Sequence, residues 1–269
     1  MTTEISELAS DAVEHAIRSS TVGIVSGSGE QKWSWNGTGT LIRWKGRHLI
    51  LTAHHVIEDT LPEDLRFFLP PDSPPIKVER ETMSKMPGAP TSLMRPFTQL
   101  DLGRIVIDKE LDLAAIEVDG NLSVKTPANF FDLAEGGRTP TEGQQTIIMG
   151  FPRDISRVTH AGFRVLLSYV MWTQVAPNRK YLRDFDPDIH FLTHYTEAET
   201  HPDASPRGIS GAAMWFLSNE SLSVWYPKLD IAGVGISWYK GQQPVLQIVQ
   251  REIVEEFLTA KLNRQPAVG

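Results

Sequence analysis

No histidine follows Ser210, and that order restricts how this chain can fold around a reactive serine. Ser210 sits in Pro206-Arg207-Gly208-Ile209-Ser210-Gly211-Ala212. Flanking glycines permit a tight turn and let a substrate approach the backbone, which makes the serine a candidate nucleophile. The bland alternative is an ordinary surface turn. A serine hydroxyl needs a base within hydrogen-bond reach, and that base needs an orienting group. The last histidine is His201, so the α/β-hydrolase order of Ser, Asp, His is impossible. The subtilisin order needs an aspartate ahead of the histidine. The only aspartate ahead of His55 is Asp11, within a helical pattern. What remains is His, then Asp, then Ser.

The chain supplies that order in three boxes: Leu51-Thr52-Ala53-His54-His55-Val56, Leu111-Asp112-Leu113-Ala114 and Gly208-Ile209-Ser210-Gly211-Ala212. Gly37-Thr38-Gly39-Thr40-Leu41-Ile42 precedes them, and Gly233-Val234-Gly235-Ile236-Ser237-Trp238 follows. At these residues the sequence resembles the trypsin-like (chymotrypsin-fold) serine peptidases, in particular their cysteine-poor bacterial branch. The matches run from about Val22 to Trp238, most of the chain. Each box alone is weak, and their shared order and spacing carry the resemblance.

The pattern along the chain agrees with an all-β fold. Ile5, Leu8, Ala9, Ala12, Val13, Ala16 and Ile17 recur at helical spacing, so residues 3–18 read as an amphipathic helix. From Val22 onward short β runs alternate with turns, with Asn36-Gly37 and Lys45-Gly46 as hairpin-like turns. Expected strands include Val22–Ser26, Lys32–Trp35, Gly39–Trp44, His48–Thr52, Gly103–Ile107 and Leu113–Val118. Residues 69–100, rich in Pro, Ser, Met and Thr, read as loop. Strands resume at Gln145–Gly150, Arg164–Thr173, His190–Tyr195, Ala212–Leu217, Ile231–Trp238 and Val245–Val249, before a helical pattern over 250–262. The resemblance implies two antiparallel six-stranded β-barrels with an N-terminal and a C-terminal helix. The expected division is 1–20 for the first helix, 21–118 for the first barrel and 119–143 for a connector. The second barrel then takes 144–249, and the closing helix and tail 250–269.

The resemblance also implies roles. Ser210 would be the nucleophile, His55 the general base and then acid, and Asp112 the carboxylate that fixes the His55 tautomer. The N–H groups of Gly208 and Ser210 would form the oxyanion hole. The reaction would need no cofactor. His54 competes with His55, and the family box favours His55 by placing one variable residue after Thr-Ala. Asp101 and Asp108 compete with Asp112, which precedes Leu-Ala and an apolar strand. His190 and His194 have the i, i+4 spacing of a helical metal pair. Their surroundings read as strand, so a structural role is expected and no metal is assigned.

The sequence departs from the family in three ways. Many trypsin-like enzymes carry an aspartate before the nucleophile to receive a freshly cut N-terminus; here it is Ile209. Activation of that kind is not expected. The pocket floor should fall at Ala204, with Ser237 and Trp238 as walls and Tyr239, where a glycine is usual, narrowing the mouth. Asp203 could reach the floor if the loop shifts by one residue. No peptide-binding or sensor segment is evident, so a narrow substrate range, a regulatory partner protein or a latent site is expected.

Composition narrows the partners. Lys plus Arg number 26 against 33 Asp plus Glu, a net charge of −7, which argues against a nucleic-acid binder. The absence of cysteine favours a reducing compartment. The polar start Met1-Thr2-Thr3-Glu4 is unlike a secretory signal, and no run spans a membrane. The expectation is a cytoplasmic endopeptidase acting on protein or peptide. A non-catalytic protein-binding module on the same fold is the second reading, and an esterase with the same triad the third.

Overall fold

A computed structural model of the chain describes residues 2–27, 34–69, 100–119, 129–134, 137–152, 157–158, 164–165, 169–179, 182–195, 206–218 and 228–263. Helix α1 spans Thr2–Ser19 and runs directly into strand β1, Thr21–Ser26. Its Val13 and Ile17 are buried in the main core, as the amphipathic spacing requires. The Thr21 hydroxyl donates to the Ile17 carbonyl at 2.8 Å, and the Leu41 N–H to the Ser20 carbonyl at 2.7 Å. The helix is therefore fastened to the sheet where the two meet.

The first lobe holds β1 with β2 (Ser34–Trp44), β3 (Arg47–Ala53), β4 (Leu65–Phe68), β5 (Leu102–Asp108) and β6 (Leu113–Val118). They pair in the order β4-β1-β2-β3-β6-β5, all antiparallel. A short β7, Phe131–Asp132, adds to β2 in parallel. This sheet curves but does not close among the described residues. The residues expected as loop between β4 and β5 lie almost wholly outside the described ones.

The Lys45-Gly46 turn is present, with φ of 47° and 79°. Positive φ at both central residues is the type I′ signature that matches strand twist. The Asn36-Gly37 turn is not present: both residues lie inside β2. Ile24 pairs with Gly37 and Val25 with Trp35, which leaves Asn36 as the extra residue of a β-bulge. The side-chain amide of Asn36 donates to the Val56 carbonyl at 2.9 Å and to the Thr60 hydroxyl at 3.1 Å. A turn-forming residue thus serves here to brace the segment after β3. Of the expected strand Lys32–Trp35, residues 32–33 fall outside the described residues.

The second lobe is a closed six-stranded barrel. Its strands are β8 (Gln145–Gly150), β11 (Tyr169–Ala176), β12 (His190–His194), β13 (Ala213–Ser218), β14 (Lys228–Tyr239) and β15 (Val245–Gln250). They follow the order β11-β12-β15-β14-β13-β8. A two-stranded ribbon of β9 (Arg157–Val158) and β10 (Arg164–Val165) stands apart from it. Of the expected strand Arg164–Thr173, residues 166–168 fall outside the described residues; Arg164–Val165 pairs with β9 as β10, and the rest lies in β11. Helix α2, Arg251–Leu262, follows β15 directly and buries Val254, Phe257, Leu258 and Leu262 in the core shared with the first lobe.

Arg251, fully buried, fastens this helix. Its Nε bonds Glu255 at 2.6 Å, and its Nη1 reaches Asp230 at 3.3 Å and the Ile231 carbonyl at 3.2 Å. Its Nη2 donates to the Ala134 carbonyl, two residues past β7. A buried guanidinium is tolerated because its donors meet acceptors on several sides. No helix among the described residues is long and apolar enough to cross a membrane.

Candidate active site

Strand β3 ends at Ala53, and a single 3-10 turn, His54–Val56, carries the two histidines. The turn separates them. His54 is buried, at 6% exposure, whereas His55 is exposed with 41% of its side chain accessible. The chain then meets the segment before β6. The His54 N–H donates to the Asp112 carbonyl at 2.9 Å. The His55 N–H donates to Asp112 Oδ1 at 2.9 Å, and His55 Nδ1 lies 2.6 Å from Asp112 Oδ2. One carboxylate thus holds both the backbone and the ring of His55. A proton on Nδ1 makes that second contact a charge-assisted hydrogen bond, and leaves Nε2 free as a base.

Asp112 reaches this position from a left-handed backbone, with φ of 52°. Aspartate and asparagine are the side-chain-bearing residues that visit this region most readily. The turn before it is shaped by Asp108, whose Oδ1 accepts the N–H groups of Glu110 and Leu111 at 3.2 Å each. Asp108 Oδ2 lies 3.2 Å from Lys261 of α2. Burial pushes the Asp108 carboxyl up, but the Leu111 and Glu110 amides and the Lys261 ammonium outweigh it and hold it below the usual carboxylate range. Asp108 is a turn-capping residue, and Asp101 is an exposed residue just before β5. Neither faces His55 as Asp112 does.

Ser210 lies on the turn before β13, and that turn docks onto the first lobe. The Thr38 N–H of β2 donates to the Ser210 carbonyl at 2.9 Å. The position a Gly37 Cβ would take is 2.8 Å from that carbonyl oxygen and 2.7 Å from a Val56 methyl. Ser210 is therefore brought beside the residue that follows His55. Gly211 makes the docking possible. Its φ is 87°, and a Cβ there would fall 2.1 Å from both the Thr38 carbonyl and the Thr52 hydroxyl. No side chain fits that gap.

The preceding turn is also defined. The Ile209 N–H donates to the Pro206 carbonyl at 2.9 Å, closing a four-residue β-turn. Gly208 occupies its third position with φ of 95°, while Arg207 is not among the positive-φ residues. This is the type II pattern, which calls for glycine at that place. From Gly208 to Gly211 most peptide groups have partners. The Gly208 carbonyl accepts the Thr38 hydroxyl at 2.6 Å, the Ile209 carbonyl accepts the Ala212 N–H, and the Gly211 N–H donates to the Gly235 carbonyl. The N–H groups of Gly208 and Ser210 meet no acceptor among the described residues. Ile209 is 3% exposed in an apolar cluster with Ile148, Met171, Met214 and Ile248. A newly formed ammonium would find no carboxylate at Ile209 itself or among the described residues of this cluster.

A shallow depression beside Ser210 is lined, among the described residues, by Ile148, Pro206, Ile209, Ser237, Trp238 and Leu246. None is charged. Ala204 and Asp203 fall outside the described residues. Tyr239 is not among these walls. Its ring packs against the cluster of Phe185, Leu192 and Val245, and its hydroxyl meets the Arg183 carbonyl and the Gln247 amide. The wall residues Ile148 and Leu246 escape sequence reading, because only barrel closure brings β8 and β15 to the serine.

His190 and His194, the spaced pair, are apart from this site. They lie on β12, where four residues span about 13 Å, too far for one metal ion. His190 Nδ1 accepts the Asp186 N–H at 3.1 Å, and burial holds its imidazole below the ordinary value against the opposing charge of Asp186. A cavity of about 190 Å³ next to His190 shares no residue with the Ser210 depression. Among the described residues no group of three or more His, Asp and Glu could hold a metal.

No protein-family profile matches the sequence, and no curated protein matches it. Among solved structures the chain is similar to the Rv3671c protease from M. tuberculosis in its active form. That match has a TM-score of 0.56 and 15% identity, over 97% of this chain and 88% of the other. It is also similar to a serine-to-alanine mutant of Rv3671c from M. tuberculosis H37Rv in an inactive form. There the TM-score is 0.55 and the identity 14%, over 97% and 95% of the two chains. These likenesses extend over both lobes and agree with a chymotrypsin-like double-barrel fold.

Proposed function

We propose that this chain is a serine endopeptidase that cleaves peptide bonds through an acyl-enzyme, with Ser210, His55 and Asp112 as its triad. Ser210 Oγ attacks the substrate carbonyl while His55 Nε2 takes the hydroxyl proton. The carbonyl oxygen, now an anion, sits between the N–H groups of Gly208 and Ser210. As the C–N bond breaks, His55 returns the proton to the leaving amine. Water then repeats the sequence on the acyl-enzyme, with His55 again as base, and releases the acid and the free serine. Asp112 keeps the imidazole in the tautomer that this shuttle needs.

The observation that carries this reading is the pair of backbone donors, Gly208 and Ser210 N–H, that meet no acceptor among the described residues, on the turn docked next to the clasped His55. A module that only binds proteins has no use for them. The uncharged depression supports a preference for a small or medium apolar residue before the scissile bond, and a cleavage profile dominated by Arg or Lys would contradict it and implicate Asp203. Substrates are a narrow set of proteins inside the cell, with no cofactor, no nucleic acid and a regulatory partner protein to limit turnover.

The test is incubation with a fluorophosphonate probe, followed by mass mapping of the adduct. The adduct is expected on Ser210. Ser210→Ala should lose labelling and at least about 10⁴-fold in hydrolysis. Its fold should persist, because the change removes one hydroxyl from a half-buried turn residue. Full activity in that variant would overturn the proposal, and a wild-type protein without an adduct would leave the binding-module reading in its place.

A further inference from the structure

We infer that Thr38 is the positioning residue of the oxyanion site: its buried hydroxyl and its backbone N–H together fix the two residues that supply the donors. The inference rests on the peptidase reading above. Thr38 is fully buried on β2, in the first lobe, and four hydrogen bonds converge on it. Its hydroxyl donates to the Gly208 carbonyl at 2.6 Å, and its N–H to the Ser210 carbonyl at 2.9 Å. Gly208 and Ser210 are the residues of this turn whose own N–H groups meet no acceptor among the described residues. Thr38 therefore holds the carbonyl side of each donor residue and sets the separation between them.

The hydroxyl is itself aimed. It accepts the Phe151 N–H at 3.2 Å, so its single proton is directed to Gly208. The Thr38 carbonyl accepts the Thr52 hydroxyl at 2.7 Å, which ties the same residue to the strand leading into His55. The anchor matters because Gly208 has the softest backbone in the turn. Where trypsin-like relatives hold the nucleophile loop with an aspartate and a new N-terminus, this chain has Ile209 in an apolar cluster. A neutral hydrogen bond from the other lobe occupies that role.

The test compares Thr38→Val, which keeps the shape and removes the hydroxyl, with Thr38→Ser, which keeps the hydroxyl. The probes are a fluorophosphonate, p-nitrophenyl acetate and phenylboronic acid. Removing an oxyanion donor outright costs about 10²–10³-fold, so displacing one should lower kcat about 10- to 100-fold. KM for the ester should stay within about threefold, and phenylboronic acid affinity should fall in step with kcat. Thr38→Ser should recover to within about threefold of wild type. A purely structural role would lower the melting temperature without splitting kcat from KM. A Val variant within about twofold of wild type, or a Ser variant as impaired as Val, overturns the inference. If Thr38→Val does not fold, Thr38→Cys replaces it: slower labelling than Thr38→Ser supports the inference, and equal labelling overturns it. A wild-type protein that is not labelled at Ser210 removes the peptidase reading and this inference together.

Discussion

Asp112→Asn separates chemistry from folding more cleanly than any other change at this site. The backbone should accept it, since asparagine tolerates the φ of 52° as aspartate does. The amide oxygen can still accept the His55 N–H. The second contact changes sign: an amide NH₂ would now face His55 Nδ1 and hold it as an acceptor. The proton then resides on Nε2, where a base is needed, and the imidazole cannot take the serine proton. In serine proteases that wrong tautomer costs about 10⁴-fold in kcat, or about 5.5 kcal/mol of transition-state stabilisation. The folding cost is far smaller. With 41% and 27% of the two side chains exposed, the pair should contribute only about 0–1 kcal/mol to stability. Asp112→Ala is the contrasting variant. Alanine in the left-handed region adds about 1–2 kcal/mol of strain, so stability and activity fall together. The assay is the fluorophosphonate labelling rate set beside the thermal melt for all three proteins. If Asp112→Asn labels within about tenfold of wild type, Asp112 is not the orienting group.

Further outcomes follow from the same geometry. His55→Ala should abolish labelling, whereas His54→Ala should retain part of it and lower the melting temperature, because only His54 is buried; the reverse in labelling would move the base by one residue. The intact chain should be labelled without prior cleavage, since Ile17 is fully buried beside the α1–β1 junction and Ile209 offers a new ammonium no carboxylate; N-terminal sequencing that finds labelled protein only after a cut between about Arg18 and Val25 would refute this. His190 has a folded pKa below its unfolded value of about 6.5, so its contribution to stability is complete above that pH and declines as pH falls through it towards the folded value. Thermal melts between pH 8 and 5 should show that slope, and His190→Asn should flatten it; an unchanged slope would assign it to another group.

Much of the fold was legible because its signals are local. Ten of the strands announce themselves as short apolar runs between turns, and α1 and α2 as amphipathic periods. Pairing Lys45-Gly46 with a hairpin worked because glycine supplies positive φ there. The same rule misread Asn36-Gly37, since a bulge also asks for a residue that leaves the ladder. Strand β4 went unread because the four residues Leu65-Arg66-Phe67-Phe68 are too few to establish a period of two. Periodicity could not separate His54 from His55, and only the turn after β3 buries one and exposes the other. Thr38 was overlooked between its glycines as part of a strand box. A hydroxyl flanked by two residues with no side chain is a signal that something passes close by, but what passes is 170 residues away.

The latch between the lobes has a consequence in time. Thr38 and Thr40 of the first lobe bind the Gly208 carbonyl and the Ala213 N–H of the second, and Gly211 closes against the Thr38 carbonyl. During synthesis His55 and Asp112 emerge long before Ser210, and the barrel that carries Ser210 closes only when β15 is complete. Even then the Ser210 turn lacks its outer wall until it settles on β2. Under the proposed reading neither lobe alone cuts anything. Hydrolytic competence would mark a finished and correctly assembled chain, so truncated or half-folded copies would be harmless to the cell that makes them.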